Sequence, residues 1–200
     1  ITSAESRNLV HRLRARVDAI MVGSGTALAD DPELTARRGT RVVHRPVRVL
    51  VDSKLRVPAS ARLYRRSQGD RDRPAWVLCR AGARGRRVRL DGGASVIEVP
   101  PSGDHLDLAA AMKSLAQEGL TTVLVEGGGE LAAALLRADL VDEIHWFLAT
   151  RLIGGDGRSA LASLEVQRLA QAVSLQRVQV RRSGGDLHLH ALIGEQGEEA

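Results

Sequence analysis

With 200 residues, 44% hydrophobic and 26% charged, the chain has the length and composition of one globular domain, or at most two small ones. Aromatics make up only 2%, so the core must be built from Val, Leu, Ile and Ala, and the single cysteine, Cys79, excludes internal disulfides and cysteine zinc clusters. The formal charge of +5 rests on arginines scattered without interleaved aromatics, which argues against a nucleic-acid module and leaves an anionic small substrate open.

No apolar run reaches transmembrane length and no secretory signal opens the chain, so a cytoplasmic protein without a membrane partner is expected. Thr2 and Glu5 form a T-x-x-E capping box, predicting a helix over residues 3–17 with Thr2 as its N-cap. Leu9, Val10, Leu13 and Val17 make its apolar stripe; Arg7 and Arg12 point away, while Arg14 and Arg16 flank the stripe within reach of a cleft edge. Residues 18–22 (DAIMV) read as a buried strand. Gly23 and Gly25 mark a turn, and Thr26 begins a short helical segment that Pro32 ends.

Residues 38–45 are polar and read as a loop. Val47–Val51 reads as a strand with Asp52 and Ser53 just past its end, where open α/β sheets bind ligands. Residues 54–74, arginine-rich with Pro58, Gly69 and Pro74, read as irregular surface. Strands are expected at 75–79 and 95–99, joined by the Gly/Arg-rich stretch 81–93; Pro100-Pro101 ends the second. Asp104 then caps a helix through about Glu118, with Leu108, Met112 and Leu115 inward and Gly119 closing it.

The most informative stretch is 121–147, TTVLVEGGGELAAALLRADLVDEIHWF. Residues 122–125 are β-branched and apolar, as in a strand buried on both faces. Glu126 and three glycines follow, then leucines at helical spacing to about Ala138. Glycines between a strand and a helix let backbone approach a ligand, and the free N–H groups of the helix's first turn favour an anion such as a pyrophosphate. Gly127, Gly129 and Ala132 satisfy G-x-G-x-x-G/A, but Asp142 and Glu143 come too soon to be the acid that the dinucleotide fingerprint needs, so a tight turn without a ligand remains an alternative.

A strand at 143–149 and a flexible loop at 154–157 come next. The chain then alternates as a β-hairpin, Val178 and Val180 before the 183–186 turn, Leu187 and Leu189 after it, with that face buried. His188 and His190 share the other face, read as solvated, and no metal site is assigned. The fold class is therefore α/β, one domain with a mixed, mostly parallel sheet flanked by helices and a C-terminal antiparallel hairpin.

With these residues in hand, the chain resembles the reductase half of the bacterial bifunctional riboflavin-biosynthesis deaminase/reductase, over nearly all 200 residues. The resemblance is carried by the ITS helix with Leu13-Arg14-Ala15, TALADDPELTAR at 26–37, PVRVLVDS at 46–53, VEGGGELAAALL at 125–136 and LVDEIHWFLATRLIGG at 140–155. It implies a dihydrofolate-reductase-like fold, NADPH as cofactor, and reduction of the ribosyl group of 5-amino-6-(5-phosphoribosylamino)uracil to ribityl. Thr26, Asp30, Ser53, Gly128, Gly129, Glu130, Leu131, Ala132, Ala133 and Ala134 fall on the family's cofactor positions; Arg14, Leu34, Arg37 and Glu126 fall on its substrate positions.

Arg14 and Arg37 suit a sugar phosphate, and Asp30 or Glu126 is the candidate proton donor or water-orienter, although Asp30-Asp31-Pro32 is also good turn chemistry. The choice of NADPH over NADH follows from the resemblance alone. It also implies a homodimer, and a protein extending upstream: the family places a strand ahead of the ITS segment that helps line the site, and before it a zinc-dependent deaminase domain. Two rivals stay open on the residues alone: a reductase of this fold acting on another pterin- or pyrimidine-like substrate, and a non-catalytic nucleotide-binding regulatory domain.

Overall fold

The structure, a computed structural model, describes residues 2–65, 74–83 and 94–194; the parts of the expected irregular stretches at 66–73 and 84–93 lie outside the described residues. In chain order the elements are α1 (Ala4–Arg14), β1 (Ala19–Gly23), α2 (Ser24–Asp30), β2 (Ala36–Arg38), β3 (Arg41–His44), β4 (Val47–Val51), β5 (Ala75–Arg80), β6 (Ala94–Val99), β7 (Pro101–Ser102) and β8 (His105–Leu106). They continue with α3 (Leu108–Gln117), β9 (Val123–Val125), α4 (Gly129–Arg137), β10 (Glu143–Leu148), β11 (Leu175–Ser183) and β12 (Asp186–Ile193).

Five short strands rich in Val, Leu and Ile pair in parallel in the order β6-β5-β4-β1-β9. Alternation along β1 sends Ala19 and Met21 to one face and Ile20 and Val22 to the other. The first pair packs with Val49, Leu78 and Val99 under Ala111 and Leu115 of α3 and Leu131 and Leu135 of α4. The second packs with Leu50 and Val77 under Ala27 of α2 and the side chains of Leu34, Val57 and Leu63. Helices α2 and α4 therefore cover opposite faces of the parallel sheet. A separate antiparallel sheet, β10-β12-β11, holds the C-terminal hairpin.

Several local readings are corrected. Ser3, not Thr2, caps α1: its hydroxyl accepts from the Ser6 amide at 3.2 Å and donates to the Ser183 carbonyl at 2.8 Å, so tertiary contact with the hairpin turn selects the cap. The helix stops at Arg14, leaving Val17 outside it. Helix α2 starts at Ser24, not Thr26, and ends where Asp31 turns left-handed at φ 41°. Residues 38–45 are not a loop, because β2 and β3 pair around Gly39 at φ 60°. Pro100-Pro101 ends β6 at Val99 as expected, and Pro101 then opens a short, unexpected β7–β8 hairpin. Asp107, not Asp104, caps α3, accepting from the Ala110 amide at 2.9 Å.

Three burial readings also change. Strand β9 is only half-buried, since it is the outermost strand of its sheet among the described residues. The apolar face of the hairpin is open: Val178 and Val180 are 49% and 58% exposed and Leu187 40%. His188, expected in solvent, is 9% exposed and stacked between the rings of Phe147 and His145. Alternation identifies which residues share a face; what covers that face is a tertiary matter.

Asp18 ties the start of β1 to the approach to β9. Its Oδ2 accepts from the Thr121 hydroxyl at 2.7 Å, the Thr121 and Thr122 amides at 2.9 Å each, and the Thr122 hydroxyl at 3.0 Å. These bonds, the Thr121 hydroxyl first, hold its carboxyl at about 2 rather than the ordinary 3.8. A depressed carboxylate contributes stability that is complete above its unfolded value and lost as pH falls through its folded one. Asp18→Asn should therefore cost about 1 kcal/mol at neutral pH, the value reduced by solvent screening. In urea titrations the gap between variant and wild type should close as pH falls from 3.8 towards 2.

Candidate active site

In a parallel sheet every strand delivers its carboxyl end to the same edge, and the crevice opens where successive connections leave to opposite faces. Here that place is β1 beside β9: β1 runs into α2 on one face and β9 into α4 on the other. The Glu126 amide donates to the Met21 carbonyl at 2.9 Å, carrying the pairing one residue past β9. Beyond it, Gly127 and Gly128 adopt φ of 72° and 86°, a left-handed course that only glycine takes without strain.

Thr26 of α2 is packed against this turn. A Cβ on Gly127 would lie 3.1 Å from Thr26 Cγ2, and one on Gly128 would lie 3.2 Å from Thr26 Oγ1. A Cβ on Gly129 would meet the backbone of Ser159 at 3.0 Å, and the Ala162 amide donates to the Gly129 carbonyl at 3.1 Å. Gly128 offers no side-chain cap to α4, and the first intrahelical bond runs from the Ala132 amide to the Gly128 carbonyl at 3.0 Å. The amides of Gly128, Gly129, Glu130 and Leu131 are therefore the ones that precede the helical ladder.

The remaining residues matched to a cofactor divide by burial. From Ala132 onward the amides belong to the helix, and the side chains of Leu131 and Ala133 face the core at 8% and 0% exposure, with Ala134 half-buried. Ser53 is half-buried at the carboxyl end of β4, its carbonyl accepting from the Arg80 amide at 3.2 Å. Asp30, one turn after Thr26 along α2, is exposed.

On the substrate side, Arg14 and Glu126 meet each other: Nε to Oε1 at 2.7 Å and Nη2 to Oε2 at 2.5 Å, a two-pronged, half-buried pair. Arg14 also donates to the Thr35 carbonyl at 3.0 Å. Arg37 bonds Thr35 Oγ1 at 3.0 Å and pairs with Glu33, which in turn pairs with Arg62. The Arg62 bond, ahead of the Arg37 charge, keeps the Glu33 carboxyl below its usual value. The Arg37 amide donates to His11 Nδ1 at 3.2 Å; burial and then the Arg14 charge lower that imidazole. Arg14 with Glu126 is electrically neutral, whereas Arg37, Glu33 and Arg62 together keep one positive charge. Leu34 sits at φ 53° with its side chain in the core, so only its main chain can face a ligand.

Sequence reasoning missed several neighbours. Glu33 and Arg62 carry the ion pairs just described, and Ser24 accepts from Arg56 Nη2 at 2.6 Å. Asp52, noted only as a strand end, is 1% exposed; its Oδ2 accepts from the Val57 amide at 2.8 Å, while Oδ1 lacks a hydrogen-bond partner among the described residues. Only the Glu33–Arg37 pair, four residues apart, has a local charge-spacing signal; the Arg62 and Arg56 contacts join segments far apart, and the state of Asp52 depends on its burial.

Fold and site together define an α/β domain with a candidate ligand site at the switch point of a parallel sheet. The model for the RibD C-terminal domain matches residues 1–189, and the chain belongs to that family. The chain is 33% identical over 214 residues to riboflavin biosynthesis protein RibD of Escherichia coli, covering 97% of this chain and 53% of that protein. It is 35% identical over 185 residues to the 2,5-diamino-6-ribosylamino-4(3H)-pyrimidinone 5′-phosphate reductase of Archaeoglobus fulgidus, covering 84% of this chain and 81% of that one. A solved structure of Acinetobacter baumannii RibD superposes with a TM-score of 0.78 at 25% identity, over 97% of this chain and 52% of that one. The chain thus spans about half the length of the RibD relatives it matches.

The glycine turn is directly testable. Gly127→Ala should lose about 1–2 kcal/mol through the left-handed backbone alone, read as a lower urea midpoint. Adding Thr26→Ser, which removes the methyl group at 3.1 Å, should recover only the part of the loss due to contact.

Proposed function

We propose that this chain is a riboflavin-biosynthesis reductase domain that uses NADPH to reduce the ribosyl group of 5-amino-6-(5-phosphoribosylamino)uracil to ribityl. The observation that carries the reading is the glycine cradle at the switch point, backed by Thr26 and followed by uncapped amides, with a carboxylate–guanidinium pair at its rim. The donor set fits a dinucleotide: main-chain amides of Gly128, Gly129, Glu130 and Leu131 for a pyrophosphate, and Thr26, Asp30 and Ser53 as polar groups around it. Family membership supports the same assignment.

When bound, NADPH supplies a hydride to C1′ of the substrate; a proton must reach O4′ as the C1′–O4′ bond gives way or after the ring has opened. The chain's own residues do the positioning. Arg37 lies in the group that retains a positive charge and takes the 5′-phosphate, assisted by Arg14. Glu126, held by both prongs of Arg14, presents a fixed acceptor to the substrate, and the main chain at Leu34 closes that side. Asp30 has no hydrogen bond or ion pair among the described residues, so its carboxyl is the one available to deliver a proton or hold a water at O4′.

The reading extends to assembly. The open apolar face of Val178, Val180, Leu187 and Leu148 is covered by a second copy in a homodimer. Among the described residues β9 pairs only with β1, and β10 only with β12, which leaves an edge on each for a strand contributed from upstream of residue 1. The greater length of the RibD relatives supports an N-terminal zinc-dependent deaminase domain there. No helix among the described residues is long and apolar enough to cross a membrane, in keeping with a cytoplasmic enzyme.

Absorbance at the nicotinamide band tests the activity. NADPH should be consumed only when the phosphoribosylaminouracil is added; consumption with the 2,5-diamino-pyrimidinone instead would move the substrate to that of the Archaeoglobus relative. Asp30→Asn should lower kcat by about 10²-fold or more with KM little changed. Unchanged turnover would remove Asp30 from the chemistry. For assembly, Val180→Asp should convert a dimer to a monomer in sedimentation equilibrium.

A further inference from the structure

The antiparallel register of the second sheet sets His145 of β10 opposite His190 of β12, and Phe147 opposite His188. The His145 and His190 rings stack with centroids 4.5 Å apart and planes 10° from parallel. Glu143, two residues before His145 on the same face, reaches both: Oε1 lies 3.4 Å from His145 Nε2 and Oε2 lies 3.1 Å from His190 Nε2. One ligand atom from each of the three residues falls within 4.8 Å of the other two. Behind His145, its Nδ1 lies 3.0 Å from His188 Nε2.

We propose that Glu143, His145 and His190 form a binding site for a divalent cation of the zinc class. Two imidazoles and one carboxylate, without thiolate, suit zinc, cobalt, nickel or copper and are poor partners for magnesium or calcium, which require oxygen donors. Bonds of about 2.0–2.2 Å to a tetrahedral ion place donor atoms about 3.2–3.6 Å apart. The present spacing reaches that by rotation of side chains on two strands already locked in register.

His188 is the outer partner. With His145 Nε2 on the ion, Nδ1–H donates to His188 Nε2, which sets the tautomer and aims the ring. Three protein ligands leave one position for water. The ion would add a further clamp between β10 and β12, beside their main-chain ladder and the His145–His188 and Glu143–His190 contacts. The site draws on the antiparallel sheet and stands apart from the reductase reading, so neither depends on the other.

The test uses the tag-free chain of 200 residues, dialysed against chelator and titrated with cobalt(II). The expected result is a visible tetrahedral d–d band saturating at one equivalent and displaced by zinc. His190→Ala and Glu143→Gln should each weaken the affinity at least tenfold, and His105→Ala, on β8, should leave it unchanged. If His145→Ala is too unstable to titrate, His190→Ala decides the question, since its ring is the more exposed at 31%. Absence of a band together with no calorimetric binding of zinc would overturn the proposal, leaving a hydrogen-bonded histidine stack. An affinity unchanged in His190→Ala would overturn it equally.

Discussion

Because β1 is held in parallel register by β4 on one side and β9 on the other, the segments that follow β1 and β9 emerge side by side at one edge of the sheet. They then part to opposite faces, α2 over the Ile20 and Val22 side and α4 over the Met21 side. The gap between them is a consequence of connectivity, since neither helix can cover the point from which both depart. Asp18 reinforces the arrangement at the other end of β1, where one carboxylate oxygen gathers four donors from Thr121 and Thr122.

The close approach of α2 to the 127–129 turn explains the glycines. Thr26 occupies the space where side chains on Gly127 and Gly128 would stand, and the main chain of 159–162 occupies the space beside Gly129. The turn is thereby packed against α2 and the 159–162 segment, which fixes its backbone. The charges around it are not left bare. Arg14 is neutralised by Glu126, and Glu33 binds both Arg37 and Arg62, so these guanidinium groups are held in place rather than flexible.

The two sheets play different parts. The parallel one is packed on both faces and positions the crevice. The antiparallel one exposes its apolar face at Val178, Val180 and Leu187 and buries polar groups on the other, where Asp186 accepts from the Ser3 amide and the Ser6 hydroxyl at 2.7 Å each. That reversal explains why the Thr2 capping box lost to Ser3: the hairpin turn reaches the start of α1 and recruits the hydroxyl that can serve both.

Local sequence located the strands at 47–51, 75–79 and 95–99 to within one residue of those observed, the helix after the glycines, and the hairpin turn at 183–186, because side-chain period, β-branching and glycine placement act within a few residues. The family resemblance, through motifs matched in order, pointed to Thr26, the glycines, Arg14, Arg37 and Glu126 as candidate site positions. Only the tertiary structure decided that Arg14 and Glu126 face each other, that Glu33 and Arg62 join them near the crevice, and that His145 meets His188 and His190. It likewise decided which hairpin face is covered. These are pairings across 29 to 112 positions of chain, and their geometry is set by strand order and register, which no local pattern of residues encodes.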